Sequence, residues 1–265
     1  MSVQMSLPIK LISTDFDGTL FAEFEKPPIP DRLVRVIGDL QAQGAKWVIN
    51  TGRDMSSLME ALGRSKISIQ PDYLVLVERE IHCHDGVRFV GLHEWNSECT
   101  RSHEVLFARI LPDLPRITDW INARFRATVY EDPFSPFCLI AGNKADAEAI
   151  NAYLDEFCSG VPNLTVVRND VYSRFSHADY NKGAALEELT RRLKLTPAEV
   201  FAAGDHWNDL PMLSRRYAHW LASPSNAIDV VKAQVREQGG HVSELHCGFG
   251  TAEGLKLCVE KSSRA

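Results

Sequence analysis

The chain has 265 residues, enough for one large domain or two modest ones with real cores. Its formal net charge is -6 and its Lys and Arg residues form no block, so no nucleic-acid footprint is visible. No stretch is long and apolar enough to cross a membrane, and Met1 to Lys10 lacks the pattern of a secretory leader. The six cysteines are scattered without a C-x-x-C pair, and several read as small core residues of a reduced, cytoplasmic protein. A monomer or homodimer is expected.

The apolar run Ile9 to Ile12 predicts a buried strand that stops at Asp15-Phe16-Asp17-Gly18-Thr19-Leu20. Side chains two apart on an extended segment share a face, so Asp15 and Asp17 are expected side by side at the strand end. Carboxylates that close call for a cation, and an oxygen-only pair suits Mg²⁺. The plain alternative is a strand that ends in a polar Asp-Gly turn.

A proline-rich loop follows. Asp31 then opens a helix with Leu33, Val36, Ile37 and Leu40 in helical period, and Gly44 is placed to end it. Trp47 to Asn50 is a short strand leading to Thr51-Gly52-Arg53. Asp54 caps a helix carrying Met55, Leu58, Met59 and Leu62 and ending before Gly63, and Tyr73 to Val77 is a third strand. This alternation predicts a doubly wound, Rossmann-like α/β core around a parallel sheet.

The pattern changes after Val77. Ile81 to Val90 reads as a hairpin around Asp85-Gly86. Within it His82-Cys83-His84 is a poor metal site, because neighbouring strand residues point to opposite sides. Asn96 to Phe125 is helical, with Pro112 and Pro115 leaving one kinked helix or two. Strands at 128–130 and 137–140, a helix from Lys144 to Phe157, and strands at 164–167 and 171–176 follow. Helix-strand-strand occurs twice, which predicts an inserted α+β domain at residues 84–178 between core segments 1–83 and 179–265.

The α/β alternation resumes with a helix opened by Lys182-Gly183 and a capped turn at Thr196-Pro197-Ala198-Glu199. A strand from Val200 to Ala203 then runs into Gly204-Asp205, and another spans His219 to Ala222. Asn226 is expected to cap a helix carrying Ala227, Val231 and Val235, stopped by Gly239-Gly240. In open parallel sheets, ligand sites form at the carboxyl ends of strands. That rule brings Asp15, Asp17, Thr51 and Asp205 towards one crevice. Lys182 adds a cation at a helix start, where the helix dipole disfavours one.

Four ordered motifs, Asp15-Phe16-Asp17-Gly18-Thr19-Leu20, Thr51-Gly52-Arg53, Lys182-Gly183 and Gly204-Asp205-x-x-Asn208-Asp209, resemble those of the haloacid dehalogenase-like hydrolase superfamily. The position of the insert resembles the Cof-like branch, which includes sugar-phosphate phosphatases. The resemblance implies a phosphatase acting on a small phosphorylated metabolite. Asp15 would be the nucleophile and Asp17 the general acid and base. Asp15, Asp205 and the backbone carbonyl of Asp17 would hold Mg²⁺, with Asp209 as an outer partner. Thr51, Gly52, Lys182 and Asn208 would bind the phosphoryl oxygens.

Plainer roles remain open for some of these residues. Thr51 could bond locally, Asn208 could cap a helix, and Arg53 could meet substrate or an acid. A phosphomutase using the same aspartyl-phosphate, or a non-catalytic phospho-ligand sensor, would share the motifs. Every motif lies outside the insert, so the insert is expected to close over the crevice and choose the leaving group.

Overall fold

In the computed structural model, residues 7–262 are described; residues 1–6, part of the stretch read for a leader, and 263–265 lie outside them. The chain divides into two compact units. One holds residues up to Leu92 and from Lys182 onward; the other is His93–Asn181.

In the first unit, β1 (Leu11–Thr14), α1 (Asp31–Ala42), β2 (Lys46–Asn50), α2 (Met55–Ser65), β3 (Tyr73–Leu76), β4 (Glu80–His84) and β5 (Phe89–Gly91) precede the insert. The insert contributes α3 (His93–Ile110), α4 (Leu114–Asn122), β6 (Ala127–Asp132), β7 (Ser135–Ala141), α5 (Lys144–Ser159), β8 (Leu164–Asn169) and β9 (Tyr172–His177). The first unit is completed by α6 (Lys182–Arg192), β10 (Val200–Ala203), β11 (Trp220–Ser223), α7 (Asp229–Glu237), β12 (His241–Val242) and α8 (Cys247–Ser262).

The core sheet has the order β12-β11-β10-β1-β2-β3-β4-β5. It is parallel from β12 to β3, and β4 and β5 extend it antiparallel. All four residues of β1 are buried, as expected of a strand covered on both faces. The chain leaves β1 towards β2 on one side and returns to β10 on the other. The carboxyl end of β1 is therefore the switch point where a doubly wound sheet opens a crevice.

The hairpin expected at Ile81 to Val90 is present. Because β4 pairs with β3, the unit boundary falls after Leu92 rather than before His84. At the other end, Ala178 N–H donates to the Asn163 carbonyl and the Tyr180 ring stands edge-on to Trp95. These contacts carry the insert on to Asn181 rather than 178.

Within the insert, β6-β7-β9-β8 form an antiparallel sheet. Leu106, Ile110, Ile117, Ile121, Phe137, Ile150, Leu154 and Phe175 build a core of their own. The helical stretch with two prolines is two helices: a 3-10 turn at Leu111–Asp113 separates α3 from α4. Pro115 sits in the first turn of α4, where its missing N–H leaves no bond unmade.

Three expectations need correction. Gly63 lies inside α2, which ends instead at Lys66 in the left-handed region. Asn226 caps no helix, since α7 begins at Asp229 behind Ile228. Beyond Gly239-Gly240, the sequence reading found neither β12 nor the sixteen-residue α8.

Candidate active site

Asp15 follows directly on β1, and its N–H extends the ladder by donating to the Ala203 carbonyl. The chain then folds back on itself: Gly18 N–H donates to Phe21 O, and the N–H groups of Leu20 and Phe21 both donate to Phe16 O. Gly18 holds φ +72°, and a Cβ there would lie 2.3 Å from Asp205 Oδ2. Only glycine fits both the turn and this approach.

Lys182, the first residue of α6, is fully buried. Its Nζ donates to Asp15 Oδ1 at 2.5 Å and to Asp209 Oδ1 at 2.6 Å. Asp209 turns its other oxygen to the backbone, accepting from the N–H groups of Asp205 (2.8 Å) and His206 (2.9 Å). Asp205 is oriented from both sides. Thr19 Oγ1 donates to its Oδ1 at 2.9 Å, and Asn226 Nδ2 reaches its Oδ2 at 3.3 Å. Asn226 Nδ2 also donates to the Gly18 carbonyl, and its Oδ1 accepts from Cys247 N–H at the start of α8. One amide thus ties the turn after Asp15, an acid of the site and the last helix together.

Oxygens of Asp15, Asp205 and Asp209 lie within 4.8 Å of one another. A single ammonium does not balance three carboxylates at that spacing. Burial, and then the neighbouring Asp209 carboxylate, raise the Asp15 carboxyl well above its ordinary range in spite of Lys182. The same two causes push Asp205 up to about 7. Burial pulls the Lys182 ammonium down, but Asp15, Asp209 and Glu78 outweigh it and hold the pKa raised. An excess of buried negative charge carried by hard oxygen donors fits a divalent cation such as Mg²⁺.

Asp17 lies apart from that acid cluster. Its half-buried carboxylate takes a two-pronged ion pair from Arg53, with Nε at 2.8 Å and Nη2 at 2.6 Å. The Phe16 and Phe21 rings flank the guanidinium at 5.3 and 5.7 Å. Arg53 therefore meets an acid of the motif, not an unrelated surface acid. On an extended strand both carboxylates would share one face. The strand ends at Thr14, so each acid finds its own cation.

Thr51 is buried, and its Oγ1 accepts locally from Arg53 N–H at 3.1 Å. Asn208 sits within the 3-10 turn Trp207–Asp209, and its Nδ2 donates to Glu78 Oε1 at 2.8 Å. Gly52 lies by the same carboxylate: a Cβ there would be 3.3 Å from Glu78 Oε1. Val77 (φ 44°) and Glu78 (φ 69°) are consecutive left-handed residues without a glycine, a strained turn that delivers Glu78 to this position. Nothing in the sequence assigned Glu78, Thr19 or Asn226 to the site. Thr19 lay inside the first motif and was overlooked, Asn226 was taken for a cap, and Glu78 carries no pattern.

Comparison with known proteins adds an independent finding. Residues 12–76 and 123–245 match the model of a family described as haloacid dehalogenase-like hydrolase. A 5-amino-6-(5-phospho-D-ribitylamino)uracil phosphatase of Bacillus subtilis is 26% identical over 98% of this chain and 100% of its own. An HMP-PP phosphatase of Yersinia pseudotuberculosis is 27% identical over 78% of this chain and 81% of its own. Among solved structures, the sucrose-phosphatase of Synechocystis, in complex with sucrose and phosphate, superposes with a TM-score of 0.71. It is 16% identical, and the match covers 95% of this chain and 98% of that one.

Proposed function

The chain belongs to the haloacid dehalogenase-like hydrolases, and from that premise we propose that it is a phosphatase of small phosphorylated metabolites working through a phosphoryl group carried on Asp15. The observation that carries this reading is the set of buried Asp15, Lys182 and Asp209 with partly buried Asp205 at the carboxyl end of the central strand. The named activities of the relatives, each on a small phosphorylated compound, support it.

A carboxylate oxygen of Asp15 attacks phosphorus, the bond to the leaving oxygen breaks, and that oxygen takes a proton from Asp17. Water then attacks the same phosphorus, gives its proton to Asp17 and frees the Asp15 carboxylate, so ester and water become alcohol and phosphate. The two-pronged grip of Arg53 fixes the orientation of the Asp17 carboxyl group for both proton transfers. Lys182, the Thr51 hydroxyl, the Gly52 N–H and the Asn208 amide are the donors assigned to the phosphoryl oxygens.

Asp15, Asp205 and the backbone carbonyl of Asp17 would hold Mg²⁺, with Asp209 behind them, its oxygens already committed to Lys182 and two N–H groups. When bound, the ion supplies positive charge beside the phosphoryl oxygens.

The test is a phosphate-release screen over sugar phosphates, nucleotides and phosphorylated cofactors, with Mg²⁺ and with EDTA, run on the wild-type chain and on Asp15→Asn. The expected outcome is Mg²⁺-dependent release by the wild type and none by the folded variant. Substantial turnover by folded Asp15→Asn, free of deamidation, would remove Asp15 as the nucleophile. Phosphate that reappears on a second hydroxyl instead of in solution would make the enzyme a mutase.

A further inference from the structure

The inserted unit has a hollow of about 240 Å³ between α3 and the turn before β8, lined by Arg101, Val105, Leu106, Arg109, Pro162 and His177 among others. It is smaller than drug-sized pockets, so it suits a compact ligand. Its walls are of two kinds. Val105, Leu106 and Pro162 supply apolar surface, and Val105 is 60% exposed. Arg101 is engaged with Glu98. Arg109, two helical turns further along α3, has no partner among the described residues.

His177 is the decisive member. It is 93% withdrawn from solvent, with a relative exposure of 7%. The Asp179 N–H donates to its Nδ1 at 3.2 Å, so Nδ1 is an acceptor and the ring proton is on Nε2. Among the described residues that Nε2–H has no hydrogen-bond partner. Burial lowers the His177 pKa against the pull of Asp179, keeping the ring a neutral donor. The ring is nearly covered, yet this N–H is not among the donors sealed from solvent, so the hollow that His177 lines is the way by which an acceptor reaches it.

We propose that this hollow is a second ligand site, which takes a small organic oxyanion on a short apolar stem. The oxyanion accepts from His177 Nε2–H and Arg109, and the stem lies on Val105, Leu106 and Pro162. A carboxylate and a phosphoryl group share the required chemistry. The site belongs wholly to the inserted unit and does not depend on the reading of the core acids.

The test uses the full chain labelled with ¹⁵N-histidine. The Nε2 resonance of His177, identified by its loss in His177→Gln, is followed during titration with acetate, butyrate and propylphosphonate. Because the readout is local to His177, anion capture at the core acids does not register. Saturable shifts are expected, with butyrate binding about fourfold tighter than acetate for each methylene that reaches the apolar wall. Arg109→Ala should weaken binding about tenfold, as loss of a charged hydrogen bond does. Arg109 is exposed, so this arm stands even if His177→Gln fails to fold, the His177 resonance then being assigned by through-bond correlation to its own backbone. Butyrate and propylphosphonate carry the same stem, so the tighter of the two identifies the preferred head group. Shifts that only grow in proportion to concentration, or that are unchanged in Arg109→Ala, would overturn the site.

Discussion

Lys182 shows how far a single residue can be committed to its neighbours. Its ammonium is fully buried and bonded to two carboxylates, so removing it strands two buried negative charges. Breaking a buried ion pair by deleting one partner costs about 3–5 kcal/mol. Lys182→Met is therefore expected to lose stability on that scale as well as turnover. Urea unfolding beside the phosphate-release assay checks both, and a variant that lost turnover at unchanged stability would show the lysine to be catalytic without being structural. The acids and the lysine were legible because each sits in a short motif at a strand or helix end. Asn226 was visible but misread, since a helix beginning three residues later made it look like a cap. Glu78 was not legible: its place depends on a strained turn at Val77 and Glu78, and neither residue type favours that backbone.

At the scale of elements, α8 was missed because Gly248, Gly250 and Gly254 depress its helical propensity. Those glycines are there for contact. A Cβ at Gly248 would lie 2.5 Å from Pro30 Cδ, and one at Gly254 would lie 2.6 Å from Ala222 Cβ on β11. Tertiary packing has overridden local preference, and single-sequence periodicity cannot register that. The helix also fastens the turn after Asp15, because buried Thr251 Oγ1 donates to the Thr19 carbonyl at 2.7 Å. Thr251→Val keeps the shape and removes the donor, leaving that carbonyl unmatched at a cost of about 1–3 kcal/mol. Thr19 orients Asp205, so the variant is also expected to need more Mg²⁺ for half-maximal activity. A lower unfolding midpoint with an unchanged Mg²⁺ midpoint would confine the role of α8 to stability. The insert was more readable than α8, since its helices and strands carry ordinary apolar periods around one core. Its edges were not, because hydrogen bonding to β3 assigns the hairpin to the other unit.

For the whole molecule, the buried acids tie stability to pH. Asp15 and Asp205 are raised, by burial first and neighbouring carboxylates second, with Asp205 at about 7. Between the ordinary carboxylate range and about pH 7 the native state then holds more protons than the unfolded chain. Stability of the metal-free protein must therefore fall as pH rises through that window, by a few kcal/mol in order of magnitude. His177 and His219, lowered chiefly by burial, act in the opposite sense near the upper end, without a shift as large as that of Asp205. Thermal melts in EDTA should show Tm dropping from pH 5 to pH 7.5, and Mg²⁺ should flatten the trend. A Tm that rose with pH in EDTA would mean that these carboxylates are already ionised at the acid end.

The position of β1 has a consequence for how the chain is made. One edge of β1 pairs with β2, which emerges from the ribosome soon after it, but the other waits for β10, from which it is separated by the whole insert. At ordinary elongation rates of about 5–20 residues per second, that edge stays open for roughly ten to forty seconds. An unpaired central strand is a template for wrong partners, so the nascent chain is most exposed to misassembly while the insert is being synthesised. A chain terminated before the insert is complete carries Asp15 but lacks Lys182, Asp205 and Asp209, and it offers a sticky sheet edge in place of an enzyme.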